Sequence, residues 1–121
     1  MAGYESLIKF FREEGFRYEE KESVLSFKIQ GVSYFAFKND SPFLQIVLIC
    51  NTENQSRNKL LEICNTLNQE KFVVKFTVTE DSDRVWCSYE FEPNSATTSD
   101  DFMAAFQILD KATDELFEKL N

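Results

Sequence analysis

The side chains that could do chemistry in this chain are carboxylates, amides and three thiols, because the sequence contains no histidine. The Ser-His-Asp and Cys-His arrangements of nucleophilic catalysis are therefore excluded, as are histidine-ligated zinc and haem. The glycines Gly3, Gly15 and Gly31 stand far apart, so no phosphate-cradling loop or dinucleotide-binding motif can be built from them. We predict that the chain uses no cofactor.

Three acidic residues have the spacing of a calcium-binding loop. Asp81, Asp83 and Glu92 would occupy positions one, three and twelve of such a loop. Position six, which must be glycine for the sharp turn, is Trp86. We therefore interpret this segment as a solvated hairpin turn and predict no metal site.

Other paired carboxylates and amides are better explained by structure than by catalysis. Asp100 and Asp101 follow Thr98 at a predicted helix start, where carboxylates complement the helix dipole. Asn65 and Asn68 lie one turn apart near the end of another predicted helix, where satisfying terminal carbonyls or bracing the next strand is favoured over ligand binding. Since no nucleophile, base and orienting group can be assembled, we predict that the chain is not an enzyme.

The cysteines indicate a reducing compartment. Cys50, Cys64 and Cys87 are odd in number, form no C-x-x-C pair and lie in apolar runs, where free cysteine behaves as a small hydrophobe. Residues 1–10 lack the cationic and apolar regions of a signal peptide. The longest apolar run, residues 46–50, is too short to span a bilayer. These features predict a soluble, cytoplasmic protein.

The 121 residues are 43% hydrophobic, which predicts one globular domain over residues 1–121. The net charge of −8 lies in the second half, because residues 1–60 carry eight basic and eight acidic side chains and residues 61–121 carry five and thirteen. This balance argues against binding to nucleic acid or to an anionic membrane. A solubilising surface is favoured over recognition of a specific cationic partner.

Hydrophobic periodicity predicts three helices and five strands. The helices are expected over residues 4–14, after the polar residues 51–58, and from Thr98 onward; the strands are expected over residues 24–30, 32–38, 43–50, 72–79 and 84–91. Gly15 is expected to cap the first helix, Gly31 to supply a tight turn, and Thr52 with Gln55 to form a capping box. Glu19, Glu20 and Glu22 are interpreted as a solvated turn or edge segment.

The element order, helix, three strands, helix, two strands, helix, predicts an α+β fold with helices on one face of a five-stranded antiparallel sheet. Strand alternation assigns an inward set: Leu25, Phe27, Ile29, Phe35, Phe37, Phe72, Val74, Phe76, Val85, Cys87, Tyr89 and Phe91. The outward set is then Val24, Tyr34, Ala36, Val73 and Trp86, joined by Phe43, Val47 and Ile49.

The outward set is too apolar for a sheet face in water. We predict a protein-binding or dimer face formed by Tyr34, Phe43, Val47, Ile49, Val73 and Trp86. The alternative is that a further chain segment or a curled sheet covers these residues.

The order of elements, together with several short motifs, resembles the type III secretion chaperone-like fold and, within it, the YbjN-type proteins known as sensory transduction regulators. The matching segments are FREEGF (11–16), FKIQG (27–31), NTLN (65–68), KFVVKF (71–76) and residues 102–106, and the resemblance extends over residues 4–120. It implies a small, acidic, cytosolic bacterial protein. Secretion chaperones of this fold are homodimers that hold extended segments of client proteins.

These observations favour a non-catalytic protein-binding domain of chaperone or regulatory type, with a protein client or a second copy as partner. The alternative is a small-ligand binder or an enzyme whose carboxylates or amides are assembled only by the fold. A deep acidic pocket would favour the alternative, whereas an apolar sheet face or groove would favour protein binding.

Overall fold

A computed structural model describes residues 1–70 and 73–121, and within them the chain forms three helices and six strands. The helices are α1 (Gly3–Glu14), α2 (Arg57–Glu70) and α3 (Ser99–Leu120). The strands are β1 (Tyr18–Lys21), β2 (Val24–Ile29), β3 (Val32–Phe37), β4 (Leu44–Asn51), β5 (Val74–Val78) and β6 (Arg84–Phe91). None of the described helices is long and apolar enough to cross a membrane.

All six strands form one antiparallel sheet in the order β1-β2-β3-β4-β6-β5. The α+β class and the antiparallel pairing are confirmed, but the expected number of five strands was wrong. The additional strand is β1, which pairs with β2 through Tyr18 opposite Phe27 and Lys21 opposite Val24. Three of its four residues are exposed and charged, so it lacks the apolar alternation that marks a strand, as is common at a sheet edge.

The turns and caps follow the sequence closely at three points. Gly15, with φ of 77°, ends α1 in the left-handed conformation. Gln30 and Gly31 both have positive φ, which is the geometry of a two-residue hairpin turn between β2 and β3. Thr98 and Asp101 form a complete capping box at the start of α3.

The expected capping box of α2 was wrong. Ser56 occupies the cap instead, and its hydroxyl oxygen accepts a hydrogen bond from the backbone N–H of Lys59 at 3.2 Å. The hydroxyl of Thr52 donates to the carbonyl of Ser82 at 3.0 Å and so joins the β4–α2 loop to the β5–β6 turn. Thr52 lies five residues before the first residue of α2, and its hydroxyl is used to hold the two loops together.

The core lies between the helices and one face of the sheet, which we call the inner face. Its centre is aromatic: the ring centroids of Phe10 in α1 and Phe102 in α3 are 4.7 Å apart, and those of Phe11 and Phe27 are also 4.7 Å apart. Phe106 of α3 joins these rings. The high phenylalanine content is therefore used largely inside the domain.

The orientation predicted for β3 was wrong. Tyr34 and Ala36 lie on the inner face and are buried, and Phe35 and Phe37 lie on the opposite face. The two-residue turn explains this result, because it pairs Tyr34 with Phe27, which belongs to the core. Phe72, expected to point inward, lies outside the described residues.

Candidate binding face

The sheet face opposite the helices, here called the outer face, is defined by the strand register. Most apolar side chains of this face lie on the middle strands β3, β4 and β6, among polar ones, and the outer strands carry lysines, hydroxyls and a glutamate. The outer-face residues are Glu19, Lys21, Val24, Ser26, Lys28, Ser33, Phe35, Phe37, Gln45, Val47, Ile49, Asn51, Arg84, Trp86, Ser88, Glu90, Lys75 and Thr77.

An aromatic pair covers the middle of this face. Phe37 and Trp86 stack with ring centroids 5.8 Å apart and planes 22° from parallel, although β4 lies between their strands. Val47 of β4 pairs with Phe35 on one side and Ser88 on the other. Its exposure is 0%, yet it is not part of the helix-side core. The outer face therefore has a small apolar core of its own.

The residues predicted for the binding face fall into three groups. Phe43 and Val73, just before β4 and β5, are 48% and 55% exposed. Ile49 and Trp86 are opposite one another on β4 and β6 and are half-buried. Val47 is fully buried beside them. Of the six predicted residues, Val47, Ile49 and Trp86 thus lie on the outer face, and Phe43 and Val73 lie just before strands that form it. Tyr34 is the exception.

Tyr34 does not belong to this face. It is 2% exposed, and its hydroxyl donates to the backbone carbonyl of Phe106 in α3 at 2.9 Å. Burial, with a smaller contribution from the charge of Asp110, raises the pKa of Tyr34 to about 12. Tyr34 therefore joins the sheet to α3 within the domain and is not available for contact with a partner.

A groove of about 930 Å³ opens at the β1 end of the outer face. It lies where β2 continues past the first residue of β1, since the register of the two strands begins with Tyr18 opposite Phe27. Cationic, acidic, hydroxyl and aromatic side chains share its lining, among them Phe16, Arg17, Glu19, Lys28, Ser26, Ser33 and Phe35. Phe35 pairs with Val47, so the groove adjoins the apolar centre of the face.

The groove is the site feature that the sequence reasoning missed. The alternation of β2 did place Ser26 and Lys28 opposite the core side chains. The sequence pattern does not indicate Arg17, because the short charged strand β1 has no apolar alternation and nothing else in the sequence places residue 17 beside β2. The hairpin register of β1 with β2 would have found it.

Basic groups are concentrated on the outer face of a chain whose net charge is −8. Three exposed lysines lie at outer-face positions: Lys21, Lys28 and Lys75. None of them forms an ion pair with another residue of the described ranges, 1–70 and 73–121. Arg84 is partly neutralised by Glu53, at 3.3 Å. The carboxylates of this face among the described residues are Glu19, opposite Ser26, and Glu90, opposite Gln45, and most of the other acidic residues lie on the helices and turns.

The amide pair is a structural device. The side chain of Asn68 accepts a hydrogen bond from the N–H of Phe76 at 2.7 Å and donates to the carbonyl of Phe76 at 3.0 Å. These bonds satisfy the free edge of β5, which is the last strand of the sheet. Bracing the next strand, as the sequence indicated, is therefore confirmed for Asn68, whereas Asn65 makes no such bond within the described residues.

The acidic turn between β5 and β6 is held by hydrogen bonds. Asp81 accepts from the hydroxyl of Thr79 at 2.8 Å and from the N–H of Asp83 at 3.1 Å, which lowers the pKa of Asp81. Arg57 of α2 donates to the Thr79 and Glu80 carbonyls at 2.8 and 3.1 Å.

Among the described residues there is no group of three or more cysteines and carboxylates that could hold a metal ion.

The cysteines are buried, free thiols. The Sγ atoms of Cys50 and Cys87 are 4.0 Å apart, which is a hydrogen-bond contact and not a disulfide. The hydrogen bond that Cys87 shares with Cys50, together with burial, raises the pKa of Cys87, and burial raises the pKa of Cys64 to about 11. Because the thiolate is the nucleophilic form, these two residues are poor nucleophiles at neutral pH.

Comparison with known proteins identifies the family. The profile of the YbjN family, described as "Putative bacterial sensory transduction regulator", matches residues 4–121. The chain belongs to the YbjN family. No curated protein matches its sequence.

Two solved structures show the same fold as this YbjN-family chain. The crystal structure of YbjN from E. coli, described as "a putative transcription regulator", has a TM-score of 0.67 at 13% identity and covers 92% of this chain and 85% of its own. An uncharacterized protein from Methanothermobacter thermautotrophicus also has a TM-score of 0.67, at 12% identity, covering 95% of this chain and 94% of its own. At these identities the likeness concerns the fold.

Proposed function

We propose that this YbjN-family chain is a non-catalytic, regulatory protein-binding domain that acts through its outer face. The observation that carries the proposal is the stacked pair Phe37 and Trp86 on a sheet face that no described helix covers. Tryptophan and other large aromatic residues provide much of the binding energy at protein interfaces. The family description as a regulator supports the same class of activity.

The proposed contact residues are Phe43, Val47, Ile49, Val73 and Trp86, with Phe35 and Phe37 added from β3. Val47 supports the surface from below, because it is fully buried. The exposed side chains at the rim, Phe43 and Val73, are the ones a partner would cover most completely. The partner is a client protein or a second copy of the chain, as in the chaperone-like proteins that the sequence resembles.

A role in transcription would act through protein contacts. The net charge of −8 disfavours binding to DNA phosphates, which requires a strongly basic surface. The free cysteines support a cytoplasmic location, since a reducing compartment keeps thiols unpaired.

A site built from carboxylates or amides is less well supported. Asn68 is engaged by the backbone of Phe76, and Asp101 by the cap of α3. The charged residues that line the groove are Arg17, Glu19 and Lys28, so the groove has a single carboxylate among its described residues and not the pair of a carboxylate centre.

The proposal is tested with two charge-introducing variants and one control. Trp86→Glu alters the centre of the face, and Val73→Glu alters its exposed rim, where folding should be unaffected. Ile108→Glu is the matched control, because Ile108 is 38% exposed on α3, on the other side of the molecule. Circular dichroism establishes that each variant is folded.

Light scattering gives the mass of each protein, and affinity capture from lysate gives its bound partners. We expect wild type and Ile108→Glu to form the same assembly or capture the same protein, and the two face variants to lose it. If all four proteins are monomeric and capture the same set of proteins, the outer face is not an interaction surface.

A further inference from the structure

We infer that the groove beside β2 and the aromatic centre of the outer face together bind an extended acidic peptide segment, with its carboxylates at Arg17 and Lys28 and its apolar side chains toward Phe35 and Trp86. This inference rests on the proposed function and names the chemistry of the partner.

The charges of this face complement those of an acidic segment. Lys28 and Arg17 line the groove together with Glu19, and Lys21 and Lys75 lie at other outer-face positions. These cations outnumber the two carboxylates of the face, Glu19 and Glu90, whereas the chain as a whole has a net charge of −8. A segment rich in aspartate or glutamate is attracted to this face and repelled by the rest of the molecule, which fixes where it binds. A cationic segment would be drawn to the acidic α3 instead.

The groove also lies beside a short stretch of strand edge. In the register of the β1–β2 pair, Tyr18 is opposite Phe27, so Lys28 and Ile29, the last two residues of β2, extend beyond β1. A strand edge with no neighbouring strand is where an extended peptide can add by main-chain hydrogen bonds. Side chains that alternate along such a peptide would then point in turn toward the sheet and away from it.

The charged groove and the aromatic centre of the outer face adjoin one another. Phe35 lines the groove and pairs with Val47, which lies between the strands that carry Phe37 and Trp86. A peptide with an acidic end and an apolar end would therefore meet both parts without a gap. A second copy of the chain fits less well, since its own lysine-bearing face would meet like charges.

Three short fluorescein-labelled peptides test the inference by polarisation with the full chain. The first carries glutamates at one end and valine and phenylalanine at the other, the second replaces every glutamate with lysine, and the third replaces every apolar residue with serine. We expect only the first to bind well, and its affinity to fall as the salt concentration rises.

Variants then separate the charge argument from the proposed function. Lys28→Glu and Arg17→Glu should each weaken binding of the first peptide about tenfold. Lys111→Glu, an equal charge change on exposed α3, should leave it within about twofold because the outer face is unchanged. Trp86→Ser should weaken binding by an amount that salt does not alter.

Each contrary result has a definite meaning. If the lysine peptide binds as well as the glutamate peptide and Trp86→Ser weakens both, the acidic partner is wrong and the proposed function stands. If the glutamate peptide binds and Trp86→Ser has no effect, the aromatic centre is not part of the site and the proposed function fails. If no peptide binds and wild type forms a dimer that Trp86→Ser disrupts, the occupant is a second copy and the inference is overturned.

Discussion

The rings of Phe37 and Trp86 lie 5.8 Å apart across β4 and are nearly parallel. They belong to strands on either side of β4, and Val47, on the same face of β4, is completely buried. Part of the apolar outer face is therefore used within the monomer to shield this valine. The remaining exposed apolar surface lies at the edges of the stack and at the strand ends.

The stack makes Trp86 an internal probe, because it is the single tryptophan of the chain. We expect Phe37→Ala to shift the Trp86 fluorescence maximum to longer wavelength and to increase its quenching by acrylamide. Loss of the aromatic pair should lower the free energy of unfolding by about 1–2 kcal/mol, of which the stacking itself accounts for about 0.5–1.5 kcal/mol. Phe117→Ala, on α3 and 39% exposed, is the control and should leave the emission unchanged. An identical emission spectrum in Phe37→Ala would show that the two rings do not stack in solution.

The edge of β5 depends on Asn68, whose side chain makes two hydrogen bonds to the backbone of Phe76. We expect Asn68→Ala to lower the free energy of unfolding by about 1–3 kcal/mol, because both backbone groups lose their partner. It should also increase aggregation on storage, since an open edge strand pairs with other chains. Asn65→Ala, one helical turn away at an exposed position, should be within about 0.5 kcal/mol of wild type. Equal urea midpoints for the two variants would contradict the bracing role.

Much of the fold could be predicted because helix and strand periods, caps and the turn at Gly31 are local signals. The orientation of β3 is not determined by a local signal of this kind. Tyr34, Phe35, Ala36 and Phe37 are all apolar, so alternation alone does not distinguish the two faces. The hairpin register does distinguish them, because a two-residue turn places Tyr34 opposite the inward Phe27.

The candidate site was less predictable than the fold. The outward placement of Trp86 and Ile49 followed from alternation in strongly patterned strands. The groove depends on β1, a short charged strand that is stabilised by pairing with β2 rather than by its own composition. Arg17 comes next to Lys28 only through that pairing, so no local pattern could have shown it.

Phe106 tests whether α3 is a principal part of the core. It is 1% exposed, and its ring lies 5.3 Å from that of Tyr34 and 5.6 Å from that of Phe27, centroid to centroid. We expect Phe106→Ala to lower the free energy of unfolding by about 3–5 kcal/mol, since it leaves a cavity between helix and sheet. Ile108→Ala, two residues along and 38% exposed, should cost less than about 1 kcal/mol in the same urea titration. A loss below about 1 kcal/mol for Phe106→Ala would mean that this stripe is not packed in solution.

We expect the protein to lose stability at alkaline pH because Tyr34 is buried on the inner face of the sheet. Burial raises the pKa of this hydroxyl to about 12 from 10.0, with the charge of Asp110 acting in the same direction. Below pH 10 the hydroxyl is protonated in both states, and the native state gains nothing more as the pH falls. Between pH 10 and pH 12 the unfolded chain ionises Tyr34 while the native chain keeps the proton, so the free energy of unfolding falls as the pH rises.

The change attributable to Tyr34 amounts to about 2–3 kcal/mol across this interval. To isolate the contribution of Tyr34, the measurement compares wild type with Tyr34→Phe by urea unfolding at several pH values. At pH 8 the variant should be about 1 kcal/mol less stable, because the hydrogen bond to the Phe106 carbonyl is lost. As the pH rises from 10 to 12, wild type should lose stability more steeply than the variant, and their order should reverse. Parallel curves over the whole range would show that Tyr34 ionises as freely in the native protein as in the unfolded chain, and hence that its hydroxyl is not buried against α3.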